Sequence, residues 1–226
     1  MATLYYVALN KITSNFYSYR TFLPIIIFFF ISILPVILLG ETYATSKVVD
    51  DSYYYIIIAR NLAELGESSF LPGVPTNGYH PLWMIMLATV GSVLDLSLPV
   101  VKILETVVVC AGFMLFIHLF RIHSLIEAAF YTFTIWFILR SFALYAMETT
   151  LLFPALVLLL ASMLSHEPFI AARRSLIIFL SCGLVIGTRL DAAFFVLPML
   201  AVAPISGVQK LYVMLGLIVC GLLYAG

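Results

Sequence analysis

Charge is scarce in this chain. Of 226 residues only 10% are Asp, Glu, Lys or Arg, where soluble domains carry about 25%. Acid and base also balance, 11 against 11, so no basic field exists to draw in nucleic acid and no such partner is expected. Cysteine is sparse as well. Cys110, Cys182 and Cys220 each sit inside an apolar run, with no metal-ligand spacing and no loop pairing, and read as small buried hydrophobes. Internal repeats and low-complexity tracts are missing, and Gly and Pro mark segment ends rather than a linker. These absences exclude an ordinary soluble domain, a disulfide scaffold and a nucleic-acid module.

What is present is apolar surface, with 64% hydrophobic residues and a mean hydropathy of +1.15. A water-soluble fold of this length cannot hide so much, so lipid is the expected solvent. Apolar segments lie near 22–40, 81–98, 99–120, 124–143, 149–164, 175–188, 192–205 and 210–226. A crossing helix needs about 20 such residues. The expected fold is all-α, a polytopic transmembrane helical bundle forming a single domain over 1–226, with a first outer loop at 41–98. The first apolar run exceeds the usual ~7–15-residue signal core and contains Pro24 and Pro35. It is read as a retained anchor rather than a cleaved leader.

Basic residues orient the bundle. Lys11 and Arg20 put the N-terminus in the cytoplasm, and Arg121 and Arg173-Arg174 belong on that side too. Both basic loops return there only if 81–98 lies along or dips into the outer leaflet instead of crossing. Its His80-Pro81 start and Asp95 suit that choice. The loops holding Asp50-Asp51 and Glu148 then share the non-cytoplasmic face. The run 175–205, interrupted by Arg189-Leu190-Asp191, reads as a helical hairpin whose tip reaches the same face. His118, Arg121 and His123 read as a cytoplasmic boundary, Arg140 as snorkelling, and Lys102 with Glu105 as a pair at the outer end of its helix.

The first outer loop opens with a helix from Asp50 to Gly66, with an apolar stripe of Tyr55, Ile58, Leu62 and Leu65 and a polar side of Arg60, Asn61, Glu64 and Glu67. Such a helix belongs in the interfacial plane, and Gly66 is its expected stop. The plain reading of Asp51 is a helix N-cap, which leaves Asp50 beside it unexplained. A turn at Asn77-Gly78 precedes Tyr79-His80-Pro81-Leu82-Trp83. Tyr79 and Trp83 suit interfacial anchoring, and the plain role of His80 is structural hydrogen bonding.

With these motifs in order, the chain resembles the GT-C superfamily of membrane glycosyltransferases, which take sugars from polyprenyl-phosphate carriers. The likeness rests on Asp50-Asp51, on Thr76-Asn77-Gly78-Tyr79-His80-Pro81-Leu82-Trp83, on Ala146-Met147-Glu148-Thr149, and on Thr188-Arg189-Leu190-Asp191-Ala192. Bacterial arabinofuranosyltransferase-like and mannosyltransferase-like members look most similar. The resemblance implies a bacterial plasma-membrane protein and a catalytic carboxylate at Asp50 or Asp51, with a second acid at Glu148. Its partners would be membrane lipid, a polyprenyl-phosphate sugar donor and a glycan, lipid or protein acceptor. Members of the family continue past the equivalent of Gly226, so the chain is expected to be an amino-terminal module with a missing carboxyl-terminal half.

The chemistry asks for such groups. A carboxylate takes the acceptor hydroxyl's proton, and a cation meets the charge growing on the leaving phosphate. Arg189 suits the second task because a guanidinium matches phosphate oxygens. Its plain alternative is a local pair with Asp191. His80, Asn77, Tyr79 and Asp191 complete the expected substrate-binding set. Glu148 has three readings: orienting the acceptor, joining Asp51 on a divalent ion such as Mg²⁺ or Mn²⁺, or capping the helix at Thr149. Metal dependence stays open. The rival functions are a transporter or lipid-carrier flippase, and a non-catalytic assembly subunit.

Overall fold

The computed structural model describes residues 20–139, 146–164 and 173–225, with side chains in the last helix as far as Ile218. Lys11, Arg140 and the Cys220 side chain lie outside the described residues. The protein is mostly helical, and its helices follow the apolar segments closely.

Helix α1 runs Leu23–Thr45, with Pro35 inside and a kink at Gly40, whose φ of 52° and ψ of −129° suit a residue without Cβ. The helix therefore continues past the end of the apolar run at 40. After a long connecting segment come α4 (Leu98–Leu119), α5 (Leu125–Leu139), α6 (Thr149–Leu164) and α7 (Arg174–Thr188). A 3₁₀ turn, Leu190–Ala192, leads to α8 (Ala193–Val202), and α9 spans Gly207–Ala225. With 23 and 22 residues, α1 and α4 are long and apolar enough to cross a membrane. At 1.5 Å per residue they reach about 33 Å, against a hydrocarbon core of about 30 Å. The prolines at 35, 154 and 198 lie inside helices rather than at segment ends.

Helix α4 packs against both α1 and α6, α6 against α7, and α7 against α9. One core joins Phe28, Val109, Phe113 and Phe153, and another joins Leu159, Ile178, Val185 and Val196. At Gly112, α4 lies close against α6. A Cβ there would lie 2.6 Å from Phe153 Cδ1, the close approach that a small residue permits between apolar helices. Cys110 and Cys182 are free and buried, as their apolar surroundings predict.

The segment between α1 and α4 is the folded part that positions the site. Helix α2 (Asp50–Leu65) begins after extended Val49 and stops at Gly66, which has φ of 70°. It packs against α3 (Pro81–Gly91). At 11 residues, α3 reaches about 16 Å, too short to cross on its own, and α4 begins only at Leu98. The buried face of α2 is broader than the predicted stripe. Ser52, Tyr55, Ile56, Ile58 and Ala59 are buried, while Leu65 is 58% exposed. The reason is α3, whose Trp83, Met84 and Leu87 supply a protein surface that draws in Ile56 and Ala59. Trp83 is fully buried, so it is core and not an interfacial anchor.

Two polar residues of α2 serve as ties. Arg60 donates from Nε and Nη2 to Leu96 O at 3.1 and 2.7 Å, and Asn61 Nδ2 donates to Ser69 O at 2.8 Å. Ser69–Leu71 (β1) and Val74–Pro75 (β2) form a small antiparallel hairpin, a departure from the all-α expectation. Its Pro72-Gly73 corner has Gly73 at φ of 76°, the residue pattern of a type II turn.

Candidate functional site

Glu148 sits in the turn that precedes α6 and is only 2% exposed. The turn is held from outside by α4. Glu105, 1% exposed, accepts the backbone N–H of Ala146 at 2.5 Å and the Thr150 hydroxyl at 3.1 Å on Oε1. Its Oε2 accepts Lys102 Nζ at 2.9 Å. The predicted Lys102–Glu105 pair is present, and it also anchors the Glu148 turn. That anchoring holds Ala146 at φ of 60°, a left-handed conformation that costs a non-glycine residue about 1–3 kcal/mol. Capping does not describe Glu148. Its backbone O accepts Leu151 N at 3.0 Å, but its carboxylate turns to other segments.

Two of those segments bring nitrogen donors. Glu148 Oε1 lies 3.7 Å from His80 Nε2 and 3.5 Å from Arg189 Nη1. Both distances exceed a hydrogen bond, and the Arg189 approach is within ion-pair range. Arg189 stands at the break after α7, with an extended backbone of φ −149° and ψ 120°. Its guanidinium also forks onto Asp191, Nε to Oδ1 at 2.9 Å and Nη2 to Oδ2 at 2.8 Å. The local pair and the approach to Glu148 therefore coexist. The fork holds the Asp191 carboxyl below its ordinary value and raises the Arg189 guanidinium.

Tyr55 completes the cluster, and the sequence alone did not single it out. It is 5% exposed, and its hydroxyl accepts the His80 backbone N–H at 3.2 Å. Burial pushes its phenol up, and the nearby charge of Glu148 pushes it further. Tyr55 thus ties α2 to the His80 turn and lies within electrostatic reach of the Glu148 turn. Three buried atoms here have no hydrogen-bond partner among the described residues: Glu148 Oε2, His80 Nδ1 and Trp83 Nε1. Buried polar atoms are nearly always satisfied, so this corner has hydrogen-bonding capacity to offer a ligand.

The remaining predicted residues lie around this cluster. Asp50 and Asp51 are the first two residues of α2 and are exposed. The N-cap is Val49, with no side-chain cap bond, so Asp51 is not the cap. The pair instead adds negative charge to a helix N-terminus, where the dipole favours it. Neither makes an ion pair among the described residues. Asp51 and Tyr55 are four apart, on one face of α2, which sets Asp51 a single turn from the cluster. Tyr79 turns to Ser68, hydroxyl to hydroxyl at 2.6 Å, and Asn77 is exposed beside the hairpin.

Among the described residues no group of three or more His, Cys, Asp or Glu side chains is placed to hold a metal ion. Asp51 and Glu148 do not make a dedicated cage, and no step is assigned to a metal. Compared with family models, with curated proteins and with solved structures, the chain gives no match to any.

Proposed function

We propose that this chain is a glycosyltransferase of GT-C type, a polytopic helical bundle in a bacterial plasma membrane with its N-terminus cytoplasmic. It passes a sugar from a polyprenyl-phosphate donor to an acceptor hydroxyl on the outer face. One observation carries the reading: Glu148 meets His80 from the first loop and Arg189 from the α7–α8 break. Helices α3, α4 and α5 separate His80 from Glu148, and α6 and α7 separate Glu148 from Arg189. With the short α3 lying along the membrane, two crossings in each interval return the chain to the same side, in keeping with the charge pattern of the loops.

The cluster has the parts that transfer needs. The acceptor oxygen bonds to the anomeric carbon as the carbon–oxygen bond to phosphate breaks, and the phosphate leaves with the electron pair. Asp51, exposed at the head of α2, receives the acceptor's proton. Arg189 meets the phosphate oxygens, with Asp191 fixing the plane of its guanidinium. Glu148 holds Arg189 in place through Oε1 and offers Oε2 to the acceptor hydroxyl. A prenyl tail lying in the bilayer brings the donor to this depth.

The test is transfer of labelled pentose and hexose from polyprenyl-phosphate donors in membranes carrying the chain. Asp51→Asn is expected to lower transfer by about 10²–10⁴-fold, the usual contribution of a general base. Arg189→Lys should cost about 10²-fold, as for removing one fixed charge-stabilising donor. Variants that insert normally and transfer at the parent rate would refute the reading.

A further inference from the structure

A second feature lies in the same outer loop, at the hairpin. A cavity of about 570 Å³ is lined by Glu67, Ser68, Ser69, Thr76 and Asn77, with Gly73 and Pro75 at its edge. That volume is in the range of small-molecule sites, roughly 300–1,000 Å³. None of the residues that form the Glu148 cluster lines it, so it is a separate site.

Its chemistry is specific. The only charged lining residue is an acid, Glu67, so the wall opposes phosphate and the donor's headgroup does not belong here. The other polar lining groups are hydroxyls and one amide, which both donate and accept. Two of them frame the wall. Ser68 Oγ donates to Thr76 O at 2.5 Å and pairs with the Tyr79 hydroxyl. Thr76 Oγ1 pairs with the Tyr54 hydroxyl at 2.7 Å, and Tyr54 stacks on Phe70 with ring centroids 5.3 Å apart. Ser69 is different. It is 1% exposed, and its Oγ has no hydrogen-bond partner among the described residues. A buried hydroxyl without a partner is costly and rare, and here it borders a cavity.

We infer that this cavity binds a neutral, hydroxyl-rich carbohydrate, with Ser69, Asn77 and Glu67 bonding its hydroxyls. Binding stands on the cavity alone. That the bound sugar is the acceptor rests on the proposed glycosyl transfer, and geometry connects the two. Thr76 is tied to Tyr54, the adjacent Tyr55 is tied to His80, and His80 lies 3.7 Å from Glu148. A glycan seated at the hairpin is therefore one short loop from the acidic cluster.

Saturation-transfer NMR on the full chain in nanodiscs tests this, with α-linked mannotriose and arabinotriose as neutral probes and inorganic phosphate as the anionic one. At least one trisaccharide is expected to take up saturation, undisplaced by phosphate. Asn77→Ala and Ser69→Ala should each weaken binding by about tenfold, the equivalent of one hydrogen bond. Ser69→Ala without ligand should melt no lower than the parent, since it removes an unsatisfied hydroxyl, and this separates lost binding from lost folding. No saturation of either sugar, displacement by phosphate, or parent-like binding by both variants would overturn the inference. Glu148→Gln distinguishes the two proposals. It should abolish transfer and leave sugar binding intact, so lost binding with Glu148-dependent transfer removes only the cavity inference. Intact binding with Glu148-independent transfer removes only the transferase.

Discussion

Tyr55 accepts the His80 backbone N–H at 3.2 Å and lies within electrostatic reach of Glu148, whose charge helps raise its phenol. Tyr55→Phe keeps the ring and removes that bond. It leaves a part-buried N–H unsatisfied, which costs about 1–3 kcal/mol. We expect lower thermal stability in detergent together with a larger proportional loss of transfer; parent-like transfer would deny the hydroxyl a role. The helical period chose Tyr55 from Tyr53-Tyr54-Tyr55 for the apolar stripe, and its burial agrees, but nothing local gave its hydroxyl a partner. His80, Glu148, Arg189 and Asp191 were legible because polar groups are conspicuous where apolar runs meet.

Asp191 gives a pH signature at the same scale. Its hydrogen bond from Arg189 holds its folded value below the ordinary 3.8, so the unfolded chain binds the proton more tightly. The pair's contribution is then complete above about pH 4 and is lost as pH falls through the folded value. The carboxylate is 59% exposed, so the effect is small. Melting temperatures measured from pH 6 down to pH 3 should fall more steeply for the parent than for Asp191→Asn.

At the scale of elements, α4 is more than a span. Glu105 reaches from it to the Ala146 N–H, 41 residues away in sequence, and so sets where Glu148 stands. Glu105→Gln keeps an acceptor for that N–H and leaves Lys102 buried without its counter-charge, a change that costs about 3–5 kcal/mol. Adding Lys102→Met should recover most of the loss in a thermal melt, whereas additive losses would show that the pair is not coupled. Gly112 tests the other side of α4. Gly112→Val pushes a side chain into Phe153 and should destabilise by about 1–3 kcal/mol, the usual cost of overpacking. The helices themselves were legible because apolar runs are long and continuous. The hairpin was not: strands of three and two residues carry no readable period. Nor was Glu105's grip on the Ala146 turn, since no local pattern announces a contact across 41 residues.

The whole molecule is best tested by sidedness. Glu148 is too buried to label, but Asn77 and His123 are exposed and lie at opposite ends of α4 in the proposed topology. In a background with the three native cysteines replaced, Asn77→Cys should react with a membrane-impermeant maleimide on intact cells. His123→Cys should react only after permeabilisation. The same labelling at both positions would contradict the orientation. Hydropathy alone marked eight apolar segments, and among the described residues two of them form helices long enough to cross. The meeting of three distant polar segments was expected from crossing parity, but their spacing was not.

The break at Arg189 carries a consequence for biosynthesis. A nascent chain that has just completed α6 at Leu164 already carries the Glu148 carboxylate, while the Arg189 guanidinium that faces it is still 25 residues from being made, 189 less 164. Until α7 docks beside α6, that carboxylate can be neither fully desolvated nor fully balanced. The acidic corner is therefore closed only when α7 and the Arg189 break are in place, so a ribosome that stalls early releases a bundle with an open, hydrated notch.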